Sequence, residues 1–202
     1  MDKVKIVDWR GIRDVVAAKV LKDDAGGITY DTPFSLCGTS KLSKSTESST
    51  GTKYYDNVPA IGIRSVGADE VGIDASAIPE DVKAKINGEF YDEETGLRVE
   101  GEPTEDYYAL GYITEKTDGT EMYVWRLKGM FSYPEEEHGT KDDGTDSTGE
   151  TLTYTGINTQ HRFTKTGKTA KAVNIPAAKY KEGKGETEFF ATVQTPDTIG
   201  GA

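Results

Sequence analysis

The chain holds two histidines, His138 and His161, and a single cysteine, Cys37. Catalysis of the Ser-His-Asp or Cys-His kind needs a base oriented beside its nucleophile. His138 stands in the acidic run EEEHGTKDD and His161 in TQHRF; neither adjoins a nucleophile motif, and no G-x-S-x-G occurs. Residues 135–138 (EEEH) offer oxygen and imidazole ligands, but consecutive side chains do not converge on one ion. Residues 142–146 (DDGTD) hint at calcium, yet lack the alternating acidic order and the closing Glu of a calcium loop. Thr166-Gly167-Lys168-Thr169 resembles the end of a phosphate-binding loop, but the glycine required upstream falls on Arg162. One cysteine excludes a Cys/His zinc set. Carboxylates abound, but no pair is marked out for glycoside hydrolysis. These residues predict no catalytic site, no metal and no cofactor, and so a binding or structural protein rather than an enzyme.

Composition narrows the class further. The 202 residues are 35% hydrophobic and 29% charged, enough for one core with long polar connections. No run of about 18 apolar residues spans a membrane. The N-terminus lacks the apolar stretch of a signal peptide, and a lone cysteine fits folding in the cytoplasm. The formal net charge of −11 argues against a nucleic-acid-binding surface, since DNA affinity rests on neutralising phosphates. The charge is uneven. Residues 69–106 and 135–150 are strongly acidic, and residues 162–184 carry seven basic and one acidic side chain. Such blocks are ordinarily solvated loops, though complementary blocks also guide subunit contacts.

The elements that would position these groups are mostly strands. Residues 105–134 read as two long strands around the turn Asp118-Gly119. Tyr108, Leu110, Tyr112 and Thr114 share one face of the first arm. In the second, Tyr123, Trp125 and Leu127 oppose Met122, Val124 and Arg126. Bulk on both faces predicts a central hairpin covered on two sides. Further strands are expected at 15–21, 28–30 with 34–37, 58–66, 151–163, 170–175 and 188–194, and a small hairpin at 90–100. Residues 41–53, KLSKSTESSTGTK, are too polar to order themselves, and read as a flexible loop or a segment that folds on a partner. Pro79, the acidic pair Glu80-Asp81, Val82 and Ile86 four apart, and Gly88 mark one short helix at about 79–87. The expected architecture is all-β with that helix, a two-sheet sandwich or barrel. Its parts are an N-terminal arm (1–14), a single domain (15–195) with a polar loop (38–55), and a flexible tail (196–202).

The order of several stretches resembles the major tail protein, or tail-tube protein, of long-tailed, non-contractile bacteriophages. They are Ile28 to Pro33 (ITYDTP), Lys53-Tyr54-Tyr55-Asp56-Asn57, the Pro79-led helix ending at Gly88, Tyr108-Ala109-Leu110-Gly111-Tyr112, and the strand from Tyr123 through Trp125 and Gly129 to Phe131. The resemblance spans roughly residues 10–163 and rests on order and spacing. It implies a structural virion protein forming six-membered rings stacked into a tube. That tube would surround a tape-measure protein, meet terminator and tip proteins, and pass DNA through its bore without specific binding. Assembly would occur in the host cytoplasm. The ring-stacking candidates are Lys41, Lys44, Glu47, Lys53, Tyr54 and Tyr55. The family-like positions are Asp56, Asn57, Pro79, Gly88, Gly111, Trp125 and Gly129. The alternative is a carbohydrate-binding β module, suggested by 11 Tyr and 2 Trp, which a row of exposed aromatics would support. A hydrolase with unmarked carboxylates is a third.

Overall fold

The computed structural model describes residues 4–140, 148–180 and 185–199. Alternating strand formers build a ten-stranded antiparallel sheet. Its main path runs β2 (Gly27–Tyr30), β1 (Trp9–Asp24), β8 (Tyr108–Lys116), β9 (Glu121–Phe131), β11 (Glu150–Gly156), β5 (Val58–Ala75), β4 (Thr39–Tyr55). Three short strands pair off this path: β3 (Phe34–Cys37) on β1, β10 (Glu135–Glu136) on β11 and β12 (Ala172–Pro176) on β9. The sheet does not close into a barrel. A second sheet is the small hairpin of β6 (Phe90–Asp92) and β7 (Leu97–Val99).

The expected central hairpin is β8–β9, in the register Leu110 to Arg126, Gly111 to Trp125, Tyr112 to Val124 and Ile113 to Tyr123. Gly119 makes the turn at φ +80°, with the Asp118 carboxylate accepting the Thr120 N–H. Both faces are covered, as their bulk requires. One carries Leu110, Tyr112 and Val124 in a layer with Val71, Ile73, Leu152 and the helix residues Val82 and Ile86. The other carries Ile113, Tyr123, Trp125 and Leu127 under Phe163, Tyr180 and Phe189. Gly111 makes room for that second layer: a Cβ there would lie 2.9 Å from the Trp125 ring and 2.8 Å from Val16. Along the far edge of β9, β12 pairs with residues 122–126 and β11 with 129–131. Gly129 sits where β11 closes in; a Cβ there would meet the Tyr154 ring at 2.4 Å and the Thr155 carbonyl at 2.5 Å.

The helix α1 (Glu80–Asn87) begins one residue later than expected, because Pro79 is its cap rather than its first helical residue. Gly88 ends it at φ +69°, against Thr104. Lys83 stands in the middle of the helix. It is buried, its ammonium enclosed by Glu80, Glu136 and Glu150. Burial alone would lower its pKa, but hydrogen bonds to those three carboxylates raise it.

Five expectations are corrected. The strand expected over 151–163 ends at Gly156, and residues 157–162 lie outside any strand. Residues 39–55 are not a loop; they form the 17-residue strand β4, paired along its length with β5. The N-terminal arm is shorter, since β1 starts at Trp9 and pairs with Lys116, while Lys5 already contacts Asp118. Residues 188–194 are not a strand: α2 (Glu186–Ala191), a second helix, lays Phe189 and Phe190 against Trp125 and Tyr123. An adjacent aromatic pair fits a strand and a docked helix equally well by pattern. Residues 196–199 are not a loose tail, because Asp197 accepts the N–H groups of Thr164 and Lys165, and Ile199 packs on the second core layer. The suggested calcium run, 142–146, and residues 200–202 lie outside the described residues.

Candidate assembly surface

The β4–β5 hairpin is two structures in one. Its base, from Thr39 to Thr46 opposite Asp69 to Ala75, is part of the sheet: β5 pairs β4 on one edge and β11 on the other. Beyond Glu47 the hairpin leaves the body. Residues 47–66 are exposed on both faces, and Ser48 to Tyr55 extend the arm by about 25 Å at the rise of a strand. Its tip is Asp56-Asn57, with φ +51° and +64°. Positive φ at both central residues is the two-residue turn whose twist matches antiparallel strands, and Asp and Asn tolerate it better than other non-glycine residues. A backbone this fully paired needs no apolar face to be a strand, which is why a low-complexity polar run forms one.

The arm is rooted in a buried polar cluster. Asp69, beside the bulge where the arm departs, accepts from Thr46 (2.8 Å) and Arg126 (2.8 Å), and pairs with Lys171 (3.2 Å) and more distantly with Lys44 (3.9 Å). Lys171 also donates to the Gly67 carbonyl. Burial pushes the Asp69 carboxyl up, but the hydrogen bonds from Thr46 and Lys171 and the charges of Lys44 and Lys171 outweigh it and hold the pKa down. Lys171 belongs to the basic block, and it meets an acidic neighbour; residues 181–184 of that block lie outside the described residues.

The arm carries apolar side chains that its own chain leaves bare. Ile61 and Ile63 stand on one face at 45% and 49% exposure, opposite Lys53 and Gly51, and Val58 faces Tyr55 near the tip. The six stacking candidates from the sequence fall into separate groups. Lys41 and Lys44 lie at the base, Glu47 packs against Gly67 at the departure point, and Lys53, Tyr54 and Tyr55 are at the tip. Of the family-like positions, Asp56 and Asn57 form the tip turn. Pro79 and Gly88 bound α1, and Gly111, Trp125 and Gly129 are interior packing positions. Sequence reasoning missed Ile61 and Ile63 as arm residues. The signal that could have found them was Asp56-Asn57 between two strand-like runs.

His138 is exposed beside Glu136, and His161 packs edge-on to Phe163 with its backbone N–H given to Asp23. Among the described residues, no group of three or more His, Cys, Asp or Glu side chains is placed to hold a metal ion. The exposed aromatics Trp9, Tyr54, Tyr55, Phe90 and Tyr133 are spread over β1, the arm tip, the small hairpin and the segment after β9. They do not form a sugar-stacking row. No helix among the described residues is long and apolar enough to cross a membrane.

The phage tail tube protein family model matches residues 21–200, from the second half of β1 to beyond the C-terminal helix. The comparison with individual curated proteins gave no match.

Proposed function

Because the chain belongs to the phage tail tube protein family, and so is a structural component of a phage tail, we propose that it assembles into six-membered rings that stack through the β4–β5 arm. The resulting tube surrounds a tape-measure protein during assembly, abuts terminator and tip proteins at its ends, and passes DNA through its bore. Assembly takes place in the host cytoplasm. The observation that supports this reading is the arm itself: a fully paired hairpin of about 25 Å with Val58, Ile61 and Ile63 about half exposed on a chain whose two core layers form without them. Covering the half of such side chains that is still exposed gains about 1 kcal/mol each.

The test removes the arm without cutting the sheet. Ser48 and Val66 are paired residues, so replacing residues 49–65 by Asn-Gly joins them through a two-residue turn. The shortened chain should keep its monomer fold by circular dichroism and form no tubes under the electron microscope. Normal tubes from it would show that stacking uses another surface.

A further inference from the structure

The core layer that α1 covers is open at one end. Past Tyr112 and Val124 it becomes a groove of about 1100 Å³ between the start of β1, the base of β4, and β9 with β12. Its floor is apolar, with Ile12, Leu42 and Met122. Its charged lining is Arg10, Lys41, Lys44, Lys116 and Arg126 against one carboxylate, Asp69. That carboxylate is already matched by Arg126 and Lys171. The groove is therefore a positive, apolar-floored site on a chain of net charge −11.

The complementary surface is on the same chain. In the β6–β7 hairpin, Phe90 pairs with Val99 and Asp92 with Leu97, so Phe90, Leu97 and Val99 share one face. They are 62%, 55% and 50% exposed. Glu93 and Glu94 are exposed in the turn that joins the two strands, next to Leu97, while Glu100 lies on the Arg98 side and pairs with it at 3.5 Å. The one cation of this hairpin, Arg98, is turned inward and held by Glu89 (2.7 Å), Glu80 (2.9 Å) and the Tyr133 hydroxyl (2.8 Å). What faces outward is an apolar trio beside an acidic turn, fixed to the body in advance, which lowers the entropy lost on docking.

We infer that the β6–β7 hairpin of one copy seats in the Arg10–Lys41 groove of the next. The inference rests on the self-assembly reading and adds a contact distinct from the stacking arm. Two different patches on one chain make a head-to-tail contact, which propagates into a closed ring or a filament rather than stopping at a dimer. The apolar trio fills the floor, while the opposed charges select the partner and speed encounter.

The experiment uses the full chain in two charge-reversed forms, all at exposed positions. One carries Glu93→Lys and Glu94→Lys; the other carries Arg10→Glu and Lys41→Glu. Each alone sets like charges against each other, and the concentration needed for assembly, read by sedimentation, should rise more than about tenfold. An equimolar mixture should assemble again, because each reversed patch meets its reversed complement on the other variant. The four substitutions in one chain should also assemble. Two variants that each assemble like the wild type overturn the contact, as does a mixture that stays dispersed. A groove variant that fails while the hairpin variant assembles would give the groove another occupant, the β4–β5 arm of a neighbour being the first to test. A wild-type chain that never assembles would defeat the self-assembly reading itself, and this contact with it.

Discussion

Asp69 shows how much a single side chain carries here. Exchanging it for Asn leaves the Arg126 guanidinium buried beside a neutral amide, and losing one partner of a buried pair costs about 3–5 kcal/mol. The urea midpoint of the monomer should fall accordingly. The same carboxylate sets a pH dependence. Burial raises the pKa values of Asp69 and Asp23, but the hydrogen bonds and cations around them bring both below their ordinary value. A carboxyl whose pKa is depressed on folding contributes its full stability above the unfolded value of about 4 and loses it as pH falls through the folded value. Urea melts of the wild type should therefore weaken steadily below about pH 4, and Asp69→Asn should show a shallower acid loss. The glycines separate by the same local logic. Gly129→Ala forces a methyl into Tyr154 and the Thr155 carbonyl, and should cost about 1–3 kcal/mol. Gly51→Ala, in the arm with nothing within 4 Å of the new methyl, should stay within about 0.5 kcal/mol.

At the scale of elements, the tip turn is the most exposed point of the account. Replacing Asp56 and Asn57 by Ala places two residues in a backbone region that costs each about 1–2 kcal/mol. Hydrogen exchange should accelerate in the distal arm, while amides of β8 and β9 keep their protection, because the arm shares no core with them. Slowed exchange throughout, or equal acceleration in both regions, would contradict an independently fraying arm. The elements differ in how plainly the sequence announces them. The β8–β9 hairpin was legible because both its faces are buried, so both carry large strand-forming side chains. The helix α1 was legible from its proline, acidic first turn and terminal glycine. Strand β4 was not, since its distal half is exposed on both faces and polar side chains cost nothing there; only the backbone pairing and the Asp56-Asn57 turn reveal it. Helix α2 was hidden because Phe189 and Phe190 serve a docked helix as well as a strand. The groove was beyond reach, as Arg10, Lys41 and Arg126 converge only through the sheet order.

For the whole molecule the decisive properties are charge and self-association. A chain of net charge −11, with Arg126, Lys128 and Lys171 tied into Asp69 and Asp23 and its positive groove taken up by a neighbouring copy in the assembly, has little to offer a phosphate backbone. A mobility-shift titration with duplex DNA at about 20 mM salt, where phosphate contacts bind tightest, should show no complex. Micromolar binding there would speak for a DNA-holding role instead of a conduit. The most direct measurement is electron microscopy of the purified full-length protein, concentrated until it sediments above the monomer. The account predicts tubes of stacked rings with sixfold symmetry, formed by the wild type and absent when residues 49–65 are replaced by Asn-Gly. Protein that remains monomeric at every salt and concentration, or tubes that form equally well without the arm, would contradict it.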